Sequence, residues 1–293
     1  MKSGSNIKRV GLLGNSEKTA CADVVRRAAR LVTKAGRKLY ADPVTASWTG
    51  IQATVCPDAR RLSRAIDLLL VFGGDGTMLR AAREIAGSQT PMLGVNIGGL
   101  GFLTAVPSDE LGPALKRVWQ GDFNFEKRAL IEVIGAGTAG SIHQAALNDI
   151  VISRGIASRL IELEVRVNGE PLTRYRCDGL IISSPTGSTA YSLAAGGAVL
   201  FPTAEVLEIT PICPHTLSNR SLIVPLSAEI EVKVVSPKPA TVLSADGELV
   251  TELSPGDTVR IQRSPRTVRL MHLAGSSFCE TLRRKLHWRG ATL

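Results

Sequence analysis

Residues 73 to 77 read Gly-Gly-Asp-Gly-Thr and follow directly on the apolar run Asp67-Leu68-Leu69-Leu70-Val71-Phe72. Successive glycines at the end of a buried strand let another molecule approach the backbone closely and let N–H groups line a concavity. Such a concavity suits a phosphate. Asp75, the lone carboxylate within it, has the wrong sign for holding phosphate. Its chemistry fits a proton acceptor for a hydroxyl that attacks a phosphoryl group. The competing reading is a tight turn with Asp selected for turn chemistry.

A second constellation runs from residue 178 to 197: Asp-Gly-Leu-Ile-Ile-Ser-Ser-Pro-Thr-Gly-Ser-Thr-Ala-Tyr-Ser-Leu-Ala-Ala-Gly-Gly. A buried strand here delivers the chain into small hydroxyl residues, which can form many short hydrogen bonds and leave room for a flat ligand. A Ser/Thr-rich surface loop would explain the hydroxyls but not the alanines and glycines that follow. Other chemistries are weaker. His143, His215, His272 and His287 show no ligand spacing, and His215 is the one to test. Cys177, between Arg176 and Asp178, is either a thiol of lowered pKa or a small buried filler, with the filler favoured. Ser188 and Ser192 lack a nearby acid–His pattern, which argues against a hydrolase triad. No G-x-x-x-x-G-K-[ST] sequence and no protein-kinase motif set occurs.

The elements that must position these residues change character half-way. Residues 7 to 14 read as a strand ending in glycine, followed by a helix with Ala22, Val25, Ala29 and Val32 on one face and a stop at Gly36. A strand over 38–41, a short helix opened by Pro57-Asp58, a strand over 68–72, a helix over 77–86 and a strand over 91–95 follow. Strand alternating with helix predicts a parallel sheet covered on both faces, with ligands beyond the strand carboxyl ends. A helix over 108–120, capped by Pro107-Ser108-Asp109-Glu110 and acidic in its first turn, closes this half. Beyond it, short β-rich runs appear at 130–133, 144–152, 160–167, 179–183, 221–224, 229–235 and 259–263. Asn168-Gly169 marks a hairpin turn and Asp246-Gly247 a second. The fold expected is an α/β domain with a Rossmann-like parallel sheet over 1–122, then an all-β sandwich-like domain over 123–272. The tail, 273–293, is read as a helix with Phe278, Leu282 and Leu286 on one face, returning to the first domain.

With 293 residues, 44% hydrophobic and 21% charged, the chain is of globular composition and has material for a sizeable core. Its apolar runs are strand-sized, which excludes membrane spans, and no secretory h-region follows Met1. Five cysteines without a C-x-x-C pair argue against a disulfide framework or zinc site and fit a reducing cytoplasm. The formal charge of +9 is dispersed in small groups, and aromatics make up only 4%, so no stacking platform for nucleic acid is expected. Polyanionic small substrates suit it better.

The order Gly73-Gly74-Asp75-Gly76-Thr77, Asn96-x-Gly98-x-Leu100-Gly101-Phe102-Leu103, Leu147-Asn148-Asp149 and Asp178-Gly179 through Ser184-Pro185-Thr186-Gly187-Ser188-Thr189-Ala190-Tyr191-Ser192 resembles that of NAD kinases. His215-Thr216-Leu217-Ser218-Asn219-Arg220 and Asp246-Gly247 extend the resemblance, which spans about residues 8 to 275. The first motif alone is shared with diacylglycerol and sphingosine kinases and loosely with phosphofructokinases. A lipid or sugar kinase is therefore the alternative enzyme, and a dinucleotide-sensing or nucleic-acid-binding protein without catalysis is the alternative from another class. The resemblance implies transfer of the ATP γ-phosphate, or one from another triphosphate or polyphosphate, to the 2′-hydroxyl of the adenosine ribose of NAD. Asp75 then accepts the proton, Gly73 and Gly74 belong to cofactor binding, Gly76 lies against the dinucleotide, and Arg80 meets phosphate. Asn148 and Asp149 match a pair that holds ribose and adenine. Asp178 accepts from an amide or amine with Arg159 and Arg176 close by. Thr189, Ala190, Tyr191, Ser192 and Ala194 cradle the other nucleotide portion, and Phe102 packs on a base. Mg²⁺, or another divalent cation, arrives with ATP and needs no dedicated metal ligands. A homodimer or homotetramer is implied. The chain departs from the family pattern at Asp149 for Glu, Ala194 for Ser and Glu248 for Gln, the last adding negative charge near phosphates.

Overall fold

A computed structural model describes residues 4–17, 19–99, 101–137, 140–155, 159–215, 220–235 and 241–288. Leu100 and residues 216–219, which belong to the motifs above, lie outside the described residues. In chain order the elements are β1 (Arg9–Gly14), α1 (Thr19–Lys34), β2 (Lys38–Ala41), α2 (Pro43–Thr49), β3 (Thr54–Val55), α3 (Ala59–Ala65), β4 (Leu68–Gly73), α4 (Asp75–Glu84), β5 (Pro91–Asn96), β6 (Val106–Pro107) and α5 (Leu111–Gln120). They continue with β7 (Phe123–Gly137), β8 (Gly140–Ala146), β9 (Asp149–Arg154), β10 (Ile161–Val167), β11 (Glu170–Cys177), β12 (Gly179–Ser183) and α6 (Tyr191–Ala194). The last are β13 (Val206–Ile212), β14 (Leu222–Pro225), β15 (Ile230–Val234), β16 (Thr241–Ala245), β17 (Glu248–Leu253), β18 (Thr258–Leu273) and α7 (Phe278–Lys285).

Two compact units result: 1–127 with 268–293, and 128–267, so the long strands β7 and β18 each run across a division. In the first unit β3, β2, β1, β4, β5 and the end of β18 pair in that order, all in parallel. The chain runs outward from β1 through β2 to β3 and then returns to the far side of β1 as β4, so the strand order reverses between β1 and β4. Every residue of β4 and β5 is buried, as expected of strands covered on both faces. On α1, the predicted face of Ala22, Val25, Ala29 and Val32 is buried. Asp42 and Asp58 cap α2 and α3 through their carboxylates. Helix α7, capped by the Ser277 hydroxyl, is part of this unit and buries Leu282.

The second unit holds two antiparallel sheets, β11-β10-β15 with the start of β18, and β14-β13-β12-β9-β16-β17. Alternating residues of both, among them Leu163, Val165, Ile182, Ile209, Val232 and Ile261, form one apolar core, the construction of a β-sandwich. Both predicted hairpin turns occur. Asn168 and Gly169 have φ of 51° and 81°, and Asp246 and Gly247 have 50° and 80°, as the turn residues of tight hairpins require.

Several local expectations are corrected. The helix after the first glycine motif begins at Asp75 and not Thr77, because Gly74 takes the N-cap position and an acidic residue is favoured in a first turn. Helix α5 begins at Leu111 and not Ser108, with no side-chain cap from Glu110 and no acidic residue in its first turn. Pro113 enforces that start, since proline is tolerated only within a helix's first turn. The run over 144–152 is two strands in different sheets, broken at Leu147-Asn148. Helix α2 and strands β13, β16 and β17 were not legible as elements.

Candidate active site

The Asp75 carboxylate sits in the first turn of α4, immediately beyond the carboxyl end of β4. Its Oδ2 accepts from the Phe102 N–H at 2.8 Å and its Oδ1 from the Leu103 N–H at 3.0 Å. Each carboxylate oxygen has two lone-pair sites, so among the described residues one on each remains for a hydroxyl. Gly101 makes this grip possible, because a Cβ there would strike Asp75 Oδ1 and fall 2.6 Å from Thr104 Oγ1. A Cβ on Gly73 would collide with the Thr77 side chain, whereas one on Gly76 would meet nothing within 4 Å. Gly73 is thus required by packing, and Gly76 presents open backbone. Asn96, 5% exposed at the end of β5, closes its own turn by donating from Nδ2 to the Gly99 carbonyl at 2.6 Å. Arg80 is exposed one turn along α4, its Nε 4.0 Å from Glu84 Oε1. The ring of Phe102 has occupants already, with Phe278 at 6.4 Å between centroids and the Lys285 ammonium 4.7 Å over its face.

In the second unit, Asn148 and Asp149 lie where the chain switches from β8 to β9. Asp246, at the β16–β17 turn, accepts from the N–H groups of Leu147 at 3.0 Å, Asn148 at 2.7 Å and Asp149 at 3.4 Å. Asp149 is 4% exposed, and burial together with the nearby Asp246 carboxylate pushes its carboxyl up to about 7. The hydroxyl-rich segment is stitched to this corner. Ser184 N–H donates to the Asn148 carbonyl at 2.8 Å and Ser184 Oγ to that of Leu147 at 2.5 Å. Gly187 lies so close to the Asn148 backbone that a Cβ would overlap it. Ser188 Oγ donates to the Pro185 carbonyl and accepts the Leu200 N–H at 3.0 Å. Thr189 and Ala190 are half-buried, Tyr191 and Ala194 are exposed, and Ser192 points inward onto Glu208 and Thr210.

Two family models match the chain, the ATP-NAD kinase N-terminal domain over residues 10–123 and the ATP-NAD kinase C-terminal domain over residues 147–273. The chain belongs to the NAD kinase family. The NAD kinase of Geotalea daltonii is 38% identical over 283 residues, covering 96% of this chain and 99% of that protein. That of Geobacter metallireducens is 44% identical over 223 residues, covering 76% and 79%. Among solved structures, yeast NADH kinase complexed with NADH superposes with a TM-score of 0.88 at 25% identity, covering 98% of this chain and 89% of that one. An NAD kinase from Archaeoglobus fulgidus in complex with ATP gives 0.75 at 22% identity, covering 96% and 100%, a likeness of fold alone.

Within this NAD kinase chain the remaining expected residues are spread along the second unit. Asp178 is met by Arg154, whose Nε lies 2.7 Å from its Oδ1, and not by Arg159 or Arg176, both of which have exposed side chains. Arg154 carried no signal in the sequence, since it lies on a different strand. Glu248 is exposed at the start of β17. His215 is exposed and its N–H donates to the Arg176 carbonyl at 2.8 Å. Cys177 is fully buried, and burial pushes its thiol up to about 12, so it is an inert filler. All five cysteines are free thiols. Among the described residues no helix is long and apolar enough to cross a membrane. Sequence reasoning also passed over Gly101 and Asp246 as supports, although both stand inside the quoted motifs.

Proposed function

We propose that this NAD kinase transfers the γ-phosphoryl group of ATP to the 2′-hydroxyl of the adenosine ribose of NAD, giving NADP and ADP. The observation that carries the reading is the Asp75 carboxylate, held by two amide N–H groups with, among the described residues, a lone pair left on each oxygen. As the ribose O2′–phosphorus bond forms, the bond from phosphorus to the bridging oxygen of ADP breaks and the hydroxyl proton passes to Asp75. Such transfers demand alignment and charge neutralisation more than covalent assistance. Gly73 and Gly74 border the phosphates, the open Gly76 backbone admits the dinucleotide, and exposed Arg80 supplies positive charge. Phe102 serves chiefly through its N–H on Asp75, since its ring is taken up by α7.

The second unit is assigned to holding NAD. Asn148 and Asp149 take ribose and adenine, and Asp149, kept protonated up to neutral pH, is able to donate as well as accept. Thr189, Ala190, Tyr191 and Ala194 line the loop that receives the nucleotide, with Ser192 setting its shape from below. Asp178, paired with Arg154, accepts from an amide or amine. Arg159, Arg176 and Glu248 stand in the same assignment by motif position.

A divalent cation supplies neutralisation of the triphosphate charge when bound. Among the described residues no three His, Cys, Asp or Glu side chains converge as a metal cage. That cation is assigned mainly to the nucleotide's own oxygens, as is usual for Mg²⁺.

The test is Asp75→Asn, assayed for NADP formation and, by calorimetry, for NAD binding. Turnover is expected to fall by about 10²–10⁴-fold with NAD affinity within a few-fold of wild type. Undiminished NADP formation would remove Asp75 from its role.

A further inference from the structure

β13 reads Val-Leu-Glu-Ile-Thr-Pro-Ile, and Glu208 is the one charged residue in a strand whose central five residues are buried. Its side chain is fully buried. Glu208 Oε2 accepts from Ser192 Oγ at 2.8 Å, and Oε1 accepts from the Ala198 N–H at 2.5 Å. Ser192 Oγ also lies 2.8 Å from Thr210 Oγ1, two residues along the same strand. Above the carboxylate the backbone passes without a side chain. A Cβ on Gly197 would fall 2.9 Å from Glu208 Oε1 and strike Ser192 Oγ.

Beyond Glu208, the segment is fixed at its far end by the Leu200 N–H on Ser188 Oγ and at Ser192 by Thr210 Oγ1. α6 is a single turn of four residues, too short to be stable alone. Gly196, at a φ of 89°, and Gly197 follow at once, and glycines lose the most conformational freedom on being ordered. The turn's own ties are Ala195 N–H to the Tyr191 carbonyl at 3.0 Å, Gly196 N–H to that of Leu193 at 3.1 Å and Gly197 N–H to that of Ser192 at 2.8 Å. These close the turn on itself but do not attach it to the sheet. Glu208 ties it there at both ends, and Thr210 Oγ1 adds one further contact at Ser192.

We infer that Glu208 is a positioning residue for dinucleotide binding: by clamping Ser192 and Ala198 to β13 it pre-forms the Thr189–Ala194 loop that receives NAD. This rests on the assignment of that loop under the proposed function. A loop already ordered does not have to lose its freedom when ligand arrives, so the clamp acts on affinity and not on the chemical step. An apolar residue at position 208 would remove the acceptor of the part-buried Ala198 N–H and one of the two partners of the buried Ser192 hydroxyl, leaving Thr210 Oγ1 as the other.

The experiment measures NADP formation by the full chain with NAD varied at saturating ATP and Mg²⁺. Glu208→Ala is expected to raise KM for NAD about tenfold or more while kcat stays within about threefold, the pattern of lost ground-state binding. Glu208→Gln is expected to stay within about threefold of wild type in KM, because its amide can accept from Ala198 and donate to Ser192 or Thr210. Should Glu208→Ala fail to fold, Gly197→Ala carries the same test with the charge retained, its methyl group forcing Ser192 and the carboxylate apart. A folded Glu208→Ala or Gly197→Ala protein with an unmoved KM for NAD would overturn the inference. So would a lowered Tm accompanied by a loss of kcat alone, which marks a merely structural residue. A wild-type protein that forms no NADP would overturn both this role and the proposed function, whereas an active wild type with unmoved variants removes only Glu208.

Discussion

A base that takes a proton from a sugar hydroxyl has to be held still without having its lone pairs used up. Asp75 meets that demand through the Phe102 and Leu103 N–H groups, and Gly101 leaves it space. A methyl group at Gly101 displaces the carboxylate, and a misplacement of about 1 Å at a reacting group can cost roughly 10²-fold. Gly101→Ala is therefore expected to lower kcat by about that factor, with NAD affinity changed far less, as steady-state kinetics will read. The carboxylate and its glycines were legible in the sequence because they are contiguous. The Gly101 contact was not, because its steric partner is a helix turn from another part of the chain. Asp149 makes a second case. Its carboxyl titrates near 7 in the folded protein against 3.8 as its ordinary value. Between those values the folded state holds a proton that the unfolded state has released, so stability falls as pH rises through that window and levels off above it. Asp149→Asn is expected to flatten this part of a Tm-against-pH curve and to gain on the order of a few kcal/mol above neutral pH. A variant curve parallel to wild type would sink the assignment.

At the scale of elements, the position of α4 matters more than its existence. Its existence was legible from alanine-rich periodicity, but the onset at Asp75 depends on Gly74 adopting an N-cap conformation, and periodicity carries no such information. The break of the 144–152 run was hidden for the same kind of reason. Both strands are apolar, and only Asp246, about a hundred residues on, turns the chain between them by accepting three backbone N–H groups. The tail helix was anticipated, and its consequence is now specific. Phe278 and Lys285 of α7 cover the ring of Phe102, whose N–H holds Asp75. Phe278→Ala is expected to lower stability by about 1–3 kcal/mol, since a half-exposed aromatic brace is lost. It should also lower kcat several-fold by loosening residues 101–103, with KM for NAD unchanged, as melting and kinetics on one preparation will show.

For the whole molecule, net charge and two-unit construction act at different ranges. A net charge of +9 gives a positive field, which under the proposed function is expected to raise the local concentration of anionic nucleotides. Raising NaCl from about 0.05 to about 0.3 M shortens the screening length roughly by half and is expected to raise KM for ATP and NAD a few-fold at constant kcat. A salt-independent KM would show that the overall field contributes nothing. The sequence by itself determined the α/β unit, the β-rich unit, the two hairpin turns and the glycine-flanked carboxylate to which the chemistry is assigned, because period, turn residues and contiguous glycines are local properties. Only the tertiary structure decided that Gly101 and the 102–103 amides hold Asp75, that Arg154 and not Arg159 or Arg176 meets Asp178, and that Glu208 lies under the loop after β12. Those contacts join residues that are distant along the chain, and a hydrogen-bond partner leaves no periodic trace in either segment it connects.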